Sequence, residues 1–174
     1  MLRYFYHNEY IQVSGSDTCS DLRSQYRDIY DVHTENYHVL LANRRLAILD
    51  LSSNGHQPMQ YNYGRLWITY NGEIFNYREL QEELKIKGHE FHSNTDTEVI
   101  LAAYSEWGDD CVVRFNGQWA FCIYDQRRQR LFCSRDRFGI KPFYYWFDGR
   151  CFAFTSEIKA LLKLPFVNND INQE

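Results

Sequence analysis

The pattern of apolar and polar positions divides the chain into stretches of unequal legibility. Residues 1 to about 36 are rich in Tyr, Asp and Ser and carry no sustained period. From Tyr37 the signals sharpen. "YHVLLANRRLAILDL" holds two short apolar runs split by "NRR", which predicts adjacent strands or one bent strand. "RLWITYNGEI" predicts a strand from Arg65 to about Ile74. A helix then opens at Asn76, a candidate N-cap with Glu79 three residues on as in a capping box; Leu80, Leu84 and Ile86 form its apolar stripe and Gly88 is placed to end it. A second helix repeats the device with Thr95 and Glu98, continues through Val99, Leu101, Ala102 and Ala103, and stops at Gly108.

The last third reads as strands. "GQWAFCIYD" and "QRLFCSRD" alternate and are joined by polar "QRRQ"; "FYYWF-DG-RCFAF" predicts a hairpin with Asp148-Gly149 as a two-residue type I′ turn. A short helix, "SEIKALLKL", follows Ser156. Strands, two helices, strands and a helix, in that order, predict an α+β fold with antiparallel sheet rather than a doubly wound one. No repeat, linker or low-complexity segment interrupts it.

Composition narrows the function. A chain of 174 residues with 44% hydrophobic content suits one globular domain, and 17% aromatics favour sheet. The net charge of −4 argues against a nucleic-acid binder that neutralises phosphates, and "RRQR" at 127–130 reads as a solvated hairpin loop. No apolar run is long enough to span a membrane, and "MLRYFYHNEYIQV" lacks the features of a secretory signal, so a cytoplasmic location is expected. The five cysteines, at 19, 111, 122, 133 and 151, include no Cys-x-x-Cys pair, so no metal site is expected. Cys122, Cys133 and Cys151 are expected to pack as small buried thiols in a reducing compartment.

The polar positions around the second strand suggest chemistry. Asn-Gly at 71–72 commonly makes a turn, yet "YRELQEELKIKG" beyond it reads as helix, not as a returning strand. A strand ending this way could offer the Asn71 amide and the Gly72 N–H as two donors to an oxyanion, with glycine letting a substrate approach the backbone. Glu73 could pair with a substrate ammonium. Asp96 could simply place charge at a helix N-terminus, and Arg45 alone could be an edge charge. Together, however, an Arg, a Glu and an Asp are what a free α-amino acid needs, a guanidinium for its carboxylate and carboxylates for its ammonium.

Five ordered motifs, "RRLAILDLSSNGHQPM", "YNGEIFNYREL", "NTDTEVIL", "FNGQWAFCIYD" and "RDRFGIKPFYY", make residues 36–163 resemble the class II glutamine amidotransferase domain of glutamine-hydrolysing asparagine synthetases. "GHQPM", "RDRFGIKP" and "SEIKAL" favour that branch over purine and hexosamine relatives. The resemblance implies an Ntn-hydrolase fold, a four-layer αββα sandwich with antiparallel sheets. It also implies L-glutamine as ligand. Arg45, Leu46, Ala47, Ile48 and Leu49 would line the site, with Arg45 on the carboxylate. Asn71 and Gly72 would form the oxyanion hole, and Glu73 and Asp96 would hold the ammonium.

Residues 1–35 diverge from that pattern, and 164–174 read as a tail. The family reaction needs an N-terminal cysteine whose thiol attacks the amide and whose α-amine is the base. Here the sequence begins Met1-Leu2-Arg3, and "YRDIYD" stands where the family has "RGPD". Cys19 could serve only after removal of the residues before it, and "CSDLRSQYRD" does not read as the required strand. The resemblance therefore implies impaired catalysis. The family's ATP-pyrophosphatase domain, to which ATP and Mg would belong, is not legible either, so no cofactor is expected on this chain. Three readings stay open: a glutamine-binding domain without turnover, an active glutaminase subunit if Cys19 becomes N-terminal, and a non-catalytic interaction module. The partners expected are L-glutamine with a separate synthetase domain, or a second copy of the chain in a homodimer.

Overall fold

A computed structural model describes residues 2–6, 9–14, 18, 23–28, 31, 37–44 and 55–167, with backbone alone for 2–6 and 9–12. The described residues form two four-stranded sheets, a separate hairpin and a helical layer. The first sheet has the order β3-β2-β1-β4, from β1 (Leu2–Tyr6), β2 (Glu9–Ser14), β3 (Arg27–Asp28) and β4 (Val39–Ala42). All its pairings are antiparallel except the two-residue contact of β2 with β3. The illegible N-terminal segment thus supplies an interior strand, β1, paired on both sides. The second sheet has the order β5-β6-β7-β8, from β5 (Met59–Tyr61), β6 (Leu66–Ile74), β7 (Gly117–Asp125) and β8 (Arg130–Arg135), antiparallel throughout.

The second sheet is covered on both faces. Ile68, Tyr70, Ile74, Phe121 and Ile123 face the helices α1 (Tyr77–Ile86) and α2 (Asp96–Trp107), in one core with Leu80, Leu84, Ile100 and Leu101. On the opposite face Trp67 and Tyr124 meet Leu41 of the first sheet, flanked by Val39, Leu131 and Phe154. Helices, sheet and sheet are stacked in the manner of the expected sandwich. No helix among the described residues is long and apolar enough to cross a membrane.

Several local expectations change. Asn76 precedes α1, but its side chain makes no capping bond. It donates instead to the Arg114 carbonyl (3.0 Å) and accepts from the Asn116 N–H (2.9 Å), tying the end of β6 to the entrance of β7. The second hairpin joins β9 (Tyr144–Phe147) to β10 (Phe152–Thr155) through four residues, since Phe147 pairs with Phe152. The Asp148 carboxylate accepts the N–H groups of Arg150 (2.8 Å) and Cys151 (2.7 Å), and an aspartate closing its own loop replaces the two-residue turn. The last helix, α3, is a single turn, Ile158–Leu161.

Candidate active site

β5 accompanies β6 only as far as Ile68, so from Tyr70 onward one edge of β6 has no strand beside it among the described residues. The orientation of the backbone along that edge follows from its neighbours. Trp119, the register partner of Gly72, turns its carbonyl to the Asp136 N–H (2.8 Å) and its N–H to the Asp136 carboxylate (3.3 Å), both on the β8 side. Gly72 and Trp119 are therefore a non-hydrogen-bonded pair, and Gly72 points away from β7, as do Tyr70 and Ile74 two residues to either side. The Tyr70 N–H donates to Gln57 Oε1 (2.6 Å) and the Ile74 N–H to Asp96 Oδ2 (3.0 Å). Between them, the Gly72 N–H meets no acceptor among the described residues.

Asn71 is exposed and its amide makes no hydrogen bond to a described residue. It lines a cleft of about 240 Å³ that also takes in Asn43 at the end of β4, Thr69, Ala120, Phe143 and Ser156. The Thr69 hydroxyl is buried there without a partner among the described residues. No cysteine is among the described residues lining this cleft.

Asp96 approaches the same stretch of β6 from the helical side. Thr95 caps α2 as expected, its hydroxyl accepting the Glu98 N–H at 3.3 Å. Glu98 does not return the bond; its buried carboxylate collects the His92 N–H (2.9 Å), the Ser93 N–H (2.7 Å) and the Ser93 hydroxyl (2.7 Å). With that turn closed by its neighbours, Asp96 extends across to β6, accepting from the Tyr70 hydroxyl (2.7 Å) as well as the Ile74 N–H. Burial raises the Asp96 pKa above the ordinary carboxylate range, bonds from Tyr70, Ile74 and Thr97 oppose the rise, and the Glu73 charge adds to it. Burial, then the Asp96 charge, likewise raises the Tyr70 hydroxyl. Glu73 is itself exposed at the end of β6.

One short stretch of β6 thus gathers Asn71, Gly72, Glu73 and Asp96. Arg45, Leu46, Ala47, Ile48, Leu49 and Cys19 lie outside the described residues. Three supporting residues escaped sequence reasoning. Tyr70 sits at a core-facing position and reads as an ordinary buried aromatic. Gln57 is a lone amide before a proline, with no local signal of its role. Asp136 had one: an aspartate shortly before Gly139 suits a side chain that closes its own loop. Its carboxylate accepts the N–H groups of Trp119, Phe138, Ile140 and Lys141. Burial would raise its pKa, but those donors outweigh it and the net shift is downward. The thiols also divide differently from expectation: Cys111 and Cys122 are buried, Cys133 is partly exposed, and Cys151 is exposed in the β9–β10 loop.

Residues 12–174 match the family model described as "Glutamine amidotransferase domain". The chain belongs to that family. The amidotransferase domain is 47% identical over 158 residues to a putative glutamine-hydrolysing asparagine synthetase 2 of Methanocaldococcus jannaschii, covering 83% of this chain and 30% of the relative. It is 44% identical to asparagine synthetase (glutamine-hydrolysing) 3 of Bacillus subtilis, covering 79% of this chain and 22% of the relative. The chain therefore spans a third or less of the length of these relatives. Among solved structures, the domain superposes on the glutamine phosphoribosylpyrophosphate amidotransferase of B. subtilis with a TM-score of 0.55 at 20% identity, over 64% of this chain and 27% of that one. It superposes on an allosteric regulatory enzyme of purine biosynthesis with a TM-score of 0.64 at 16% identity, over 92% and 36%. These likenesses establish the shared Ntn-hydrolase fold, an α+β sandwich.

Proposed function

We propose that this domain binds L-glutamine against the open edge of β6, and the observation that carries the reading is the Gly72 N–H. Its neighbours on that edge, Tyr70 and Ile74, have their N–H groups taken by Gln57 and Asp96, whereas the Gly72 donor meets no acceptor among the described residues. Beside it the Asn71 amide likewise bonds to no described residue. Two such donors suit the amide oxygen of glutamine, and more so the oxyanion that forms when a nucleophile adds to that carbonyl. Glu73 and Asp96 take the α-ammonium, Arg45 takes the α-carboxylate, and Leu46 to Leu49 flank it.

The chain is read as binding glutamine without hydrolysing it. Cys122 faces the same side of the sheet as Asn71, one row along, but it is fully buried and its thiol is held well above the usual range by its bond to Cys133 and by burial. It does not line the cleft and cannot meet a substrate there. Hydrolysis would need a thiol brought into the cleft, and Cys19 at a processed N-terminus is the candidate. Ammonia released in that case would go to a synthetase unit making asparagine, in keeping with the names of the relatives, and ATP and Mg would act on that unit.

Calorimetric titration with L-glutamine, run beside an assay for glutamate release, tests this. Binding without turnover is expected, with affinity weakened in Arg45→Ala and in Asp96→Ala. If neither substitution weakens binding, the site is misplaced. Glutamate release that Cys19→Ala abolishes would instead establish the processed-thiol reading.

A further inference from the structure

Cys122 of β7 and Cys133 of β8 are direct register partners. The bonding pattern around them fixes which kind of pair they form. The Trp119 carbonyl accepts the Asp136 N–H on the β8 side, while the Gln126 N–H donates to the Arg65 carbonyl on the β6 side. Odd-numbered residues of β7 therefore bond to β8 and even-numbered ones to β6, which makes Cys122 and Cys133 a non-hydrogen-bonded pair. In such pairs the Cα atoms stand about 4.5 Å apart with side chains drawn together. That separation falls within the range of roughly 4.4–6.8 Å that a disulfide bridges.

The two thiols are near enough to shift each other's titration. The interaction with Cys133 raises the Cys122 thiol, with burial adding to the rise; the same interaction lowers Cys133 against the opposing effect of burial. Exposure separates them further, since Cys122 is fully buried and Cys133 is partly open to solvent. One thiol can be reached from outside and the other can be reached only by its partner. The pair neighbours the cleft without lining it: Thr69, which does line it, is the register partner of Cys122 on β6, and Ala120, two residues along the same face, lines it as well.

We propose that Cys122 and Cys133 form a reversible thiol–disulfide site, closed by low-molecular-weight disulfides. The Cys133 thiolate attacks one sulfur of the small disulfide, whose S–S bond breaks and releases one small thiolate. The Cys122 thiol gives up its proton to that thiolate and attacks the Cys133 sulfur of the mixed disulfide, expelling the second. One intramolecular S–S bond forms, two protein thiols are oxidised, and one small disulfide is reduced to two thiols. A reducing dithiol reverses the exchange.

The test is to incubate the full chain with oxidised glutathione in native buffer, alkylate it, and map the peptides by mass spectrometry without reduction. A peptide pair joined through Cys122 and Cys133 is expected, with two of the five thiols lost to titration and recovered on adding dithiothreitol. In Cys122→Ala the reaction should stop at a glutathione adduct on Cys133, and in Cys133→Ser the Cys122 thiol should remain free. The proposal is overturned if the wild-type chain accumulates a lasting adduct on Cys133. It is equally overturned if both thiols stay alkylatable while the other cysteines oxidise, or if the crosslink forms only in denaturant. The wild-type map decides the matter whether or not either variant folds.

Discussion

Replacing Gly72 with Ala asks whether that position is glycine for the ligand or for the sheet. A Cβ at residue 72 would run into the Gln118 carbonyl oxygen, and would lie 2.8 Å from Trp119 Cα and 2.8 Å from Tyr70 Cε2. Carbon atoms in ordinary contact stand about 3.5–4.0 Å apart, so these contacts must open by about 0.7 Å or more. Two of the three atoms belong to the backbone of β7, which is held from its other side by the Trp119–Asp136 bonds. The Tyr70 ring is tethered through its hydroxyl to Asp96 and is not free to swing clear. Overpacking commonly costs about 1–3 kcal/mol, and main-chain atoms as the obstacle place this case at about 2–3 kcal/mol. For a domain of this size that lowers Tm by roughly 4–12 °C. Thermal and urea unfolding of Gly72→Ala should be compared with Asn71→Ala, whose side chain is exposed and bonds to no described residue and should change stability by less than about 0.5 kcal/mol. Equal stability of the two variants would mean that β6 and β7 do not approach this closely, and that only ligand access calls for the glycine.

Four further outcomes follow from the same geometry. Asp96 has a raised pKa in the free protein, and an ammonium can pair only with its ionised form; glutamine affinity should fall as pH drops through a window above the ordinary carboxylate range, with proton release on binding seen by calorimetry in buffers of different ionisation heat. Tyr70→Phe removes one of the bonds that hold that pKa down, so the Asp96 carboxyl should titrate still higher by carbon NMR, with about 1–3 kcal/mol of stability lost. Asp136 has the opposite sign: its lowered pKa contributes stability that is complete above the ordinary carboxylate range and lost as pH falls through its folded value, so Asp136→Asn should flatten the acid limb of the stability curve. Glu98→Ala leaves the donors of His92 and Ser93 without their acceptor and should cost about 2–3 kcal/mol in urea unfolding, with Ser93→Ala costing less.

Punctuation served sequence reading better than periodicity did. Thr95, Gly88 and Gly108 bound the helices where capping chemistry says they should, and Gly88 and Gly108 both adopt positive φ. Asn76 misled because its amide has a stronger use: it bridges the backbone on either side of the β6–β7 entrance, a long-range demand with no local signature. Asp148 misled in a similar way, since a carboxylate able to hold two N–H groups stabilises a longer loop than the Asp-Gly pair implied. The first sheet was invisible for another reason. "LRYFY" sets aromatic residues at consecutive positions, so it carries no period of two, yet its backbone is an interior strand.

The same cause explains where the candidate site lies. β6 is buried without a break from Leu66 to Tyr70 because helices cover one face and the first sheet covers the other, which erases the alternation a half-exposed strand would show. At Asn71 the burial breaks: Asn71 and Glu73 are exposed and Gly72 is half-buried. An Asn-Gly-Glu run is costly inside a doubly covered sheet, where each unpaired donor or charge would pay its full desolvation penalty. Here it stands where the cover ends and the flanking strand β5 has already stopped. Polar residues that would disrupt the strand a few positions earlier are tolerated there, and the backbone donor of Gly72 can stay uncommitted because solvent or a ligand can reach it. The change from apolar run to polar triplet that seemed to call for a turn is the point at which β6 emerges from between the layers, and chemistry that needs both a rigid backbone and access can be built only at such a point.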